Sequence, residues 1–178
     1  MSECLTNIGI SQNCDIQTVG GLKRVWIGEF SNLDSDEIEY DSDNIITGLT
    51  SALSSSTTLK EYVFDEEKAY YNEPGTYAGR DDSIASDEQL YMTFKKFDND
   101  KRNALMFFRS TKTFAIIQDN NDYYRLVGIS KGLYPTADNA NSGAASGEFN
   151  GLDITLSGFA KNPAPFIESK TVFSSYIS

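Results

Sequence analysis

Apolar side chains recur at every second position in several stretches of this chain, and that period commits it to β-structure. In Leu22-Lys23-Arg24-Val25-Trp26-Ile27-Gly28-Glu29-Phe30, alternate residues share a face: Leu22, Arg24, Trp26, Gly28 and Phe30 on one, Lys23, Val25, Ile27 and Glu29 on the other. Neither face is cleanly polar, so this strand is expected to be covered on both sides. Leu90, Met92 and Phe94 alternate with Tyr91, Thr93 and Lys95, and Leu152-Asp153-Ile154-Thr155-Leu156-Ser157-Gly158-Phe159 repeats the pattern. Shorter strands are expected at Glu37-Ile38-Glu39-Tyr40, at Asn44-Ile45-Ile46-Thr47-Gly48-Leu49 and over 58–64. Ala69-Tyr70-Tyr71-Asn72 is read as continuing the last of these beyond an acidic turn at Asp65-Glu66-Glu67.

One segment has helical spacing. Ala104, Leu105 and Phe108 form an apolar stripe within 101–110, preceded by the capping candidates Asp98-Asn99-Asp100. Arg109 and Lys112 lie where the negative end of a helix dipole favours cations. So short a helix must pack on a sheet to persist. The stretches 113–117 and 123–129 read as a hairpin, joined by Gln118-Asp119-Asn120-Asn121-Asp122, whose Asn and Asp residues tolerate left-handed backbone. Residues 80–87 are polar and expected as an exposed connection. Residues 136–147 are nearly all Ala, Ser, Asn, Thr, Asp and Gly and are expected as a flexible loop. Residues 1–20 are read as an extended N-terminal arm. Residues 163–178 are read as an extended C-terminal segment, in which Thr171 to Ile177 can add a short strand. No repeat or linker divides the chain, so 1–178 is taken as a single domain. The expected fold is mainly β: an antiparallel β-sandwich or barrel with one flanking short α-helix.

The 178 residues suffice for a real core, and 15 basic against 26 acidic side chains give a formal charge of −11. Such a surface repels nucleic acid and anionic membrane, because affinity for phosphate rests on Lys and Arg. Two readings stay open: plain solubility, or a surface past which nucleic acid slides without sticking. The absence of histidine removes the commonest general base and metal ligand. Cys4 and Cys14 are too few for a disulfide framework and are read as thiols. The first residues carry no basic and apolar leader pattern, and no apolar run of membrane-spanning length occurs, so a soluble product made in cytoplasm is expected.

No phosphate loop, zinc spacing or nucleophile elbow is present. Carboxylates cluster at Asp34/Asp36/Glu37/Glu39, Asp41/Asp43, Asp65/Glu66/Glu67 and Asp81/Asp82, and are read as a solvated acidic face rather than a glycosidase pair. Asp41-Ser42-Asp43-Asn44 has some look of a calcium loop but lacks the Gly and distal Glu of an EF-hand. The expectation is therefore a protein that is not an enzyme, with no catalytic, cofactor or metal residues. Trp26 and the many tyrosines are assigned to core first, subunit interface second and ligand platform third.

Strand 90–97, helix 101–109, hairpin 113–129, strand 152–159 and the following Asn162-Pro163-Ala164-Pro165 resemble, in order and texture, phage tail-tube and related virion proteins. Arg125-Leu126-Val127-Gly128, the small-residue loop, and Asn150-Gly151-Leu152-Asp153-Ile154-Thr155-Leu156-Ser157-Gly158 are similar to virion proteins of phages infecting Bacteroidetes. The resemblance implies a subunit of a phage tail that closes with copies of itself into homo-oligomeric rings, commonly hexamers. The rings would stack into a tube whose like-charged lumen DNA crosses without specific binding. It implies other virion tail or connector proteins as partners, no membrane, and a place in the virion tail after synthesis in the host cytoplasm. The arm and residues 136–147 would then order against neighbouring subunits. Interface residues on this reading are Asp138, Asn139, Asn141, Ser142, Glu148, Phe149, Asn150, Pro163 and Pro165. Tube, head–tail connector, terminator and hub ring proteins of the same virion are not separated by it. A carbohydrate-binding β-sandwich module is the alternative of another class.

Overall fold

In a computed structural model of the chain, the alternating segments build two sheets stacked face to face. The structure describes residues 3–5, 11–13, 19–65, 68–78, 83–145 and 147–178, with backbone alone at 3–5, 11–13, 76–78 and 83–85. The larger sheet has seven strands, in the order β4 (Glu39–Tyr40), β5 (Ile46–Gly48), β14 (Phe166–Ile167), β11 (Tyr124–Val127), β10 (Thr113–Asp119), β3 (Leu22–Glu29) and β6 (Lys60–Val63). The smaller sheet runs β12 (Tyr134–Asn141), β13 (Gly151–Ala160), β9 (Ser83–Lys95), β7 (Ala69–Asn72), with β8 (Gly75–Ala78) also paired to β9. A separate antiparallel pair joins β1 (Glu3–Leu5) to β2 (Ser11–Asn13). The strand pairings are antiparallel except β14 on β5, where Ile167 faces Ile46 in parallel register, and an isolated bridge of Leu59 to Ile177 is parallel too. This is a mainly β sandwich with one flanking helix. The expected arm over 1–20 lies largely outside the described residues, as does any pairing of Cys4 with Cys14.

Because side chains alternate along β3 and β10, the larger sheet has two apolar faces. Val25, Ile27, Ala115, Ile117 and Val127 point toward the smaller sheet and meet Leu90, Met92, Leu152, Ile154 and Leu156. Trp26, Phe114, Ile116, Leu126 and Ile167 point the other way, against Leu33, Leu49, Leu53, Leu59 and Phe173. Both sides of β3 are therefore covered, as its mixed faces required. The second cover is irregular chain: 3-10 turns at Phe30–Asn32 and Ser35–Glu37 before it, and at Lys170–Val172 and Ser174–Tyr176 after it. Trp26 is fully buried with its ring 5.0 Å from that of Phe173, so it belongs to core and to no surface platform.

Helix α1 (Asn99–Ser110) starts where Asp98 Oδ1 accepts the Lys101 N–H at 3.1 Å. Its buried residues Leu105 and Phe108 join the core between the sheets, with Ala104 packed beside them, which is the stripe read from sequence.

Four expectations are corrected. Residues 136–141 are not loop but most of β12, because backbone pairing to β13, rather than burial, holds this polar segment as a strand. Residues 83–87 belong to β9, extended there by pairing with β8 and with Phe159–Ala160 of β13; residues 80–82 lie outside the described residues. Ala69–Asn72 does not continue β6: it belongs to the other sheet, paired with β9, because Ala69 is buried inward beside Met92. Thr171 to Tyr176 form 3-10 turns instead of a strand, because Phe173 folds back under Trp26, and Ile177 makes a single parallel bridge to Leu59.

Candidate functional site

Strand β12 forms one edge of the smaller sheet, paired to β13 along one side only. Free edges are dangerous to a monomer, and proteins usually blunt them with Lys, Pro, bulges or brevity. Here Pro135 and a bulge between Pro135 and Ala137 blunt the first part. The remainder, Ala137-Asp138-Asn139-Ala140-Asn141, keeps unbroken register with Thr155 through Gly151 and carries no Lys, Pro or bulge. The strand is pinned from inside. The Arg109 guanidinium at the end of α1 pairs with both Asp138 carboxylate oxygens, its Nε 3.0 Å from Oδ2.

The connection from β12 to β13 shapes itself with its own side chains. Asn141 Oδ1 accepts the Gly143 N–H at 2.9 Å, at a glycine whose φ of 70° suits the turn. The Glu148 carboxylate accepts the amides of Ala144 and Ala145. Asn150 Oδ1 accepts the Phe97 N–H at 3.2 Å, and the Phe149 ring lies over Gly151, where a Cβ would come within 2.5 Å of it. Of the residues expected at an interface, Asp138, Asn141, Glu148 and Asn150 are thus engaged within the subunit. Asn139 and Ser142 are exposed, and Phe149 is partly so.

Pro163 and Pro165 are not brought to this edge. They follow β13 at its far end, about 30 Å from Gly151 by strand rise. There they line a cleft of about 670 Å³ together with Tyr40, Asn44, Glu88, Ile129, Ser130 and Lys161. Glu88 is 1% exposed and stands on the inward face of β9, in the row that continues as Leu90 and Met92. Its Oε2 accepts the Gly128 N–H at 3.1 Å. Burial, aided by the charge of Glu73, pushes its carboxyl up to about 7, against the opposing pull of that N–H. Tyr71 on β7 is raised too, mainly by burial and then by the charges of Glu88 and Glu73. Compared with protein-family models, with curated proteins and with solved structures, the chain finds no match.

Glu88 was missed from sequence, although a signal existed. Counting back by two from Leu90 along an alternating strand places a carboxylate on the apolar face, which is costly unless it has a purpose or a partner. The acidic clusters that drew attention are local instead. Asp41 Oδ1 accepts the amides of Asp43 (2.9 Å) and Ile45 (2.8 Å), and Asp34 accepts that of Asp36. Among the described residues no group of three or more His, Cys, Asp or Glu side chains converges as a metal site.

Proposed function

We propose that this protein is a structural subunit that joins to copies of itself through the free edge of β12, as a ring-forming component of a phage tail. The observation that carries the reading is the unguarded half of β12, residues 137–141, held in strand conformation from within by β13 and by Arg109. An incoming strand would meet a preformed ladder and lose little conformational freedom on pairing. Pairing of β12 with β12 of another copy closes a two-fold dimer, whereas pairing of β12 with a different edge of the next copy is a head-to-tail contact, which generates rings. The resemblance in element order to tail-tube proteins makes the stacked, DNA-conducting tube the first form of that assembly. A connector, terminator or hub ring is the second. The charge of −11 suits a conduit along which DNA is repelled rather than held.

Sedimentation over a range of concentrations, with negative-stain imaging of the same samples, tests this. Rings or tubes are expected, and Asn139→Lys with Asn141→Lys, which places two charges along the free edge, is expected to leave monomers of unchanged fold. A protein that stays monomeric at every concentration and salt would overturn the reading and favour a binding module.

A further inference from the structure

The cleft at the far end of β13 is built around one carboxyl group. Two glycines make room for Glu88. Gly158 is its direct cross-strand partner, and a Cβ there would lie 3.3 Å from Glu88 Oε2 and 2.9 Å from the Gly132 carbonyl. Gly128 adopts a φ of 84°, a conformation costly for any side chain, and in it aims its N–H at the carboxylate. Leu133 and Gly132 close beneath, while the side toward Ile129, Ser130, Asn162 and Lys161 stays open as the cleft. The carboxyl lies almost fully buried at the floor of a space of the size that small ligands occupy.

The charge that acts on Glu88 is that of Glu73. Glu73 adds a second carboxylate, whose Oε1 accepts the Ala164 N–H at 2.9 Å. Among the described residues neither Glu88 nor Glu73 forms an ion pair. Arg125 lowers the Tyr71 hydroxyl's titration slightly, but its guanidinium stacks on the Phe166 ring at 4.5 Å. Lys161 stands exposed on the cleft wall, and the Tyr40 and Tyr71 hydroxyls remain neutral well above pH 7. Ile129, Ala164 and the two prolines supply an apolar wall.

We infer that this cleft binds an organic monocation, an alkylammonium or alkylguanidinium group, whose charged head meets Glu88 and whose stem lies along Ile129, Ala164 and Pro165. Such a head brings several N–H donors to a carboxylate that has one amide of its own, and the amide oxygens of Asn44 and Asn162 offer further acceptors. A divalent metal fits less well, since hard cations want six or more oxygen ligands. The head group can belong to a free amine or to a Lys or Arg side chain of another copy.

The test is titration of n-butylguanidinium into the isotopically labelled full-length chain, followed by amide chemical shifts. Saturable shifts confined to 128–130 and 161–165 are expected at pH 8. Affinity should be about tenfold weaker at pH 6, where the proton competes for Glu88. Glu88→Gln, which keeps an acceptor for Gly128, should weaken binding at least tenfold at pH 8. Lys161→Ala, an exposed change, should tighten it severalfold by removing a rival cation. No saturable shift at tens of millimolar, or equal binding by Glu88→Gln, overturns the inference. Sedimentation of the same samples separates the sources: a fall in assembled mass on adding butylguanidinium assigns the head group to a neighbouring subunit, and an unchanged mass assigns it to a free ligand.

Discussion

Asn121 grips Val19 by both backbone groups: its Oδ1 accepts the Val19 N–H at 3.0 Å, and its Nδ2 donates to the Val19 carbonyl at 3.1 Å. The side-chain amide here supplies both partners that a neighbouring strand's backbone would supply. Its neighbour Asn120 does the same one step on, its Nδ2 donating to the Gly20 carbonyl and its N–H to that of Gly21. The β10–β11 turn therefore fixes where the N-terminal residues meet the body. Asn121→Ala should cost about 1–2 kcal/mol, the worth of two ordinary hydrogen bonds. Asn121→Asp, which keeps only the acceptor, should fall between. Urea midpoints of the three proteins, compared at one slope, check this.

Gly28 is required by close approach rather than by backbone angle. A methyl there would lie 2.6 Å from the Phe114 ring and 2.9 Å from Leu59, both fully buried. Gly28→Ala is expected to destabilise by about 1–3 kcal/mol through overpacking. Combined with Phe114→Leu, the two changes should cost less than their sum, and a double-mutant cycle measures that coupling.

Glu88 makes stability depend on pH in a direction opposite to the usual carboxylate. Its folded value of about 7 lies above the ordinary 4.5, so the folded state holds the proton more tightly than the unfolded state. The stabilisation is complete below pH 4.5, shrinks as pH rises and is gone above about 7. The full swing is of order 3 kcal/mol. Chemical denaturation at pH 5 and pH 8 should show the native protein weakening by a sizeable part of that, with Glu88→Gln flat over the same range. A native protein with no more slope than the variant would disprove the assignment.

Arg109 holds Asp138 in a two-pronged ion pair, which steadies the central part of β12. Arg109→Gln should speed amide exchange across 137–141 while leaving β3 and β10 protected. Uniform loss of protection would mean that the pair supports the whole fold.

Strong salt should favour association. Each copy carries a charge of −11, and bringing copies together concentrates like charge. Screening shortens that repulsion to about 10 Å at 0.1 M. The assembled fraction, measured by sedimentation, should rise between low and moderate ionic strength.

The strands that were legible are those with one buried row, such as Leu90, Met92 and Phe94, or two, as in β3, because burial writes the period into the residue types. What stayed hidden was held by the backbone. Tyr134–Asn141 is a strand through pairing with β13, and its side chains gave no period because most of them face water. The Asp-rich connections were legible as turns, since Asp34, Asp41 and Asp119 each accept amides two or more residues on. Composition did not say that their carboxylates would be spent that way. Of the residues expected at an interface, Asp138, Asn139, Asn141, Ser142, Glu148, Phe149 and Asn150 lie on β12 or the connection after it, whereas the length of β13 carries Pro163 and Pro165 to the opposite end.

The hairpin β4–β5 reaches the rest of its sheet only through β14, two residues near the end of the chain. On a ribosome, Ile46 therefore waits for Ile167 to emerge, and Trp26 waits for Phe173, while more than a hundred residues are added between them. Until then a nascent chain has that apolar face covered only in part, by Leu33, Leu49, Leu53 and Leu59, so helper proteins that shield young chains have their longest opportunity here.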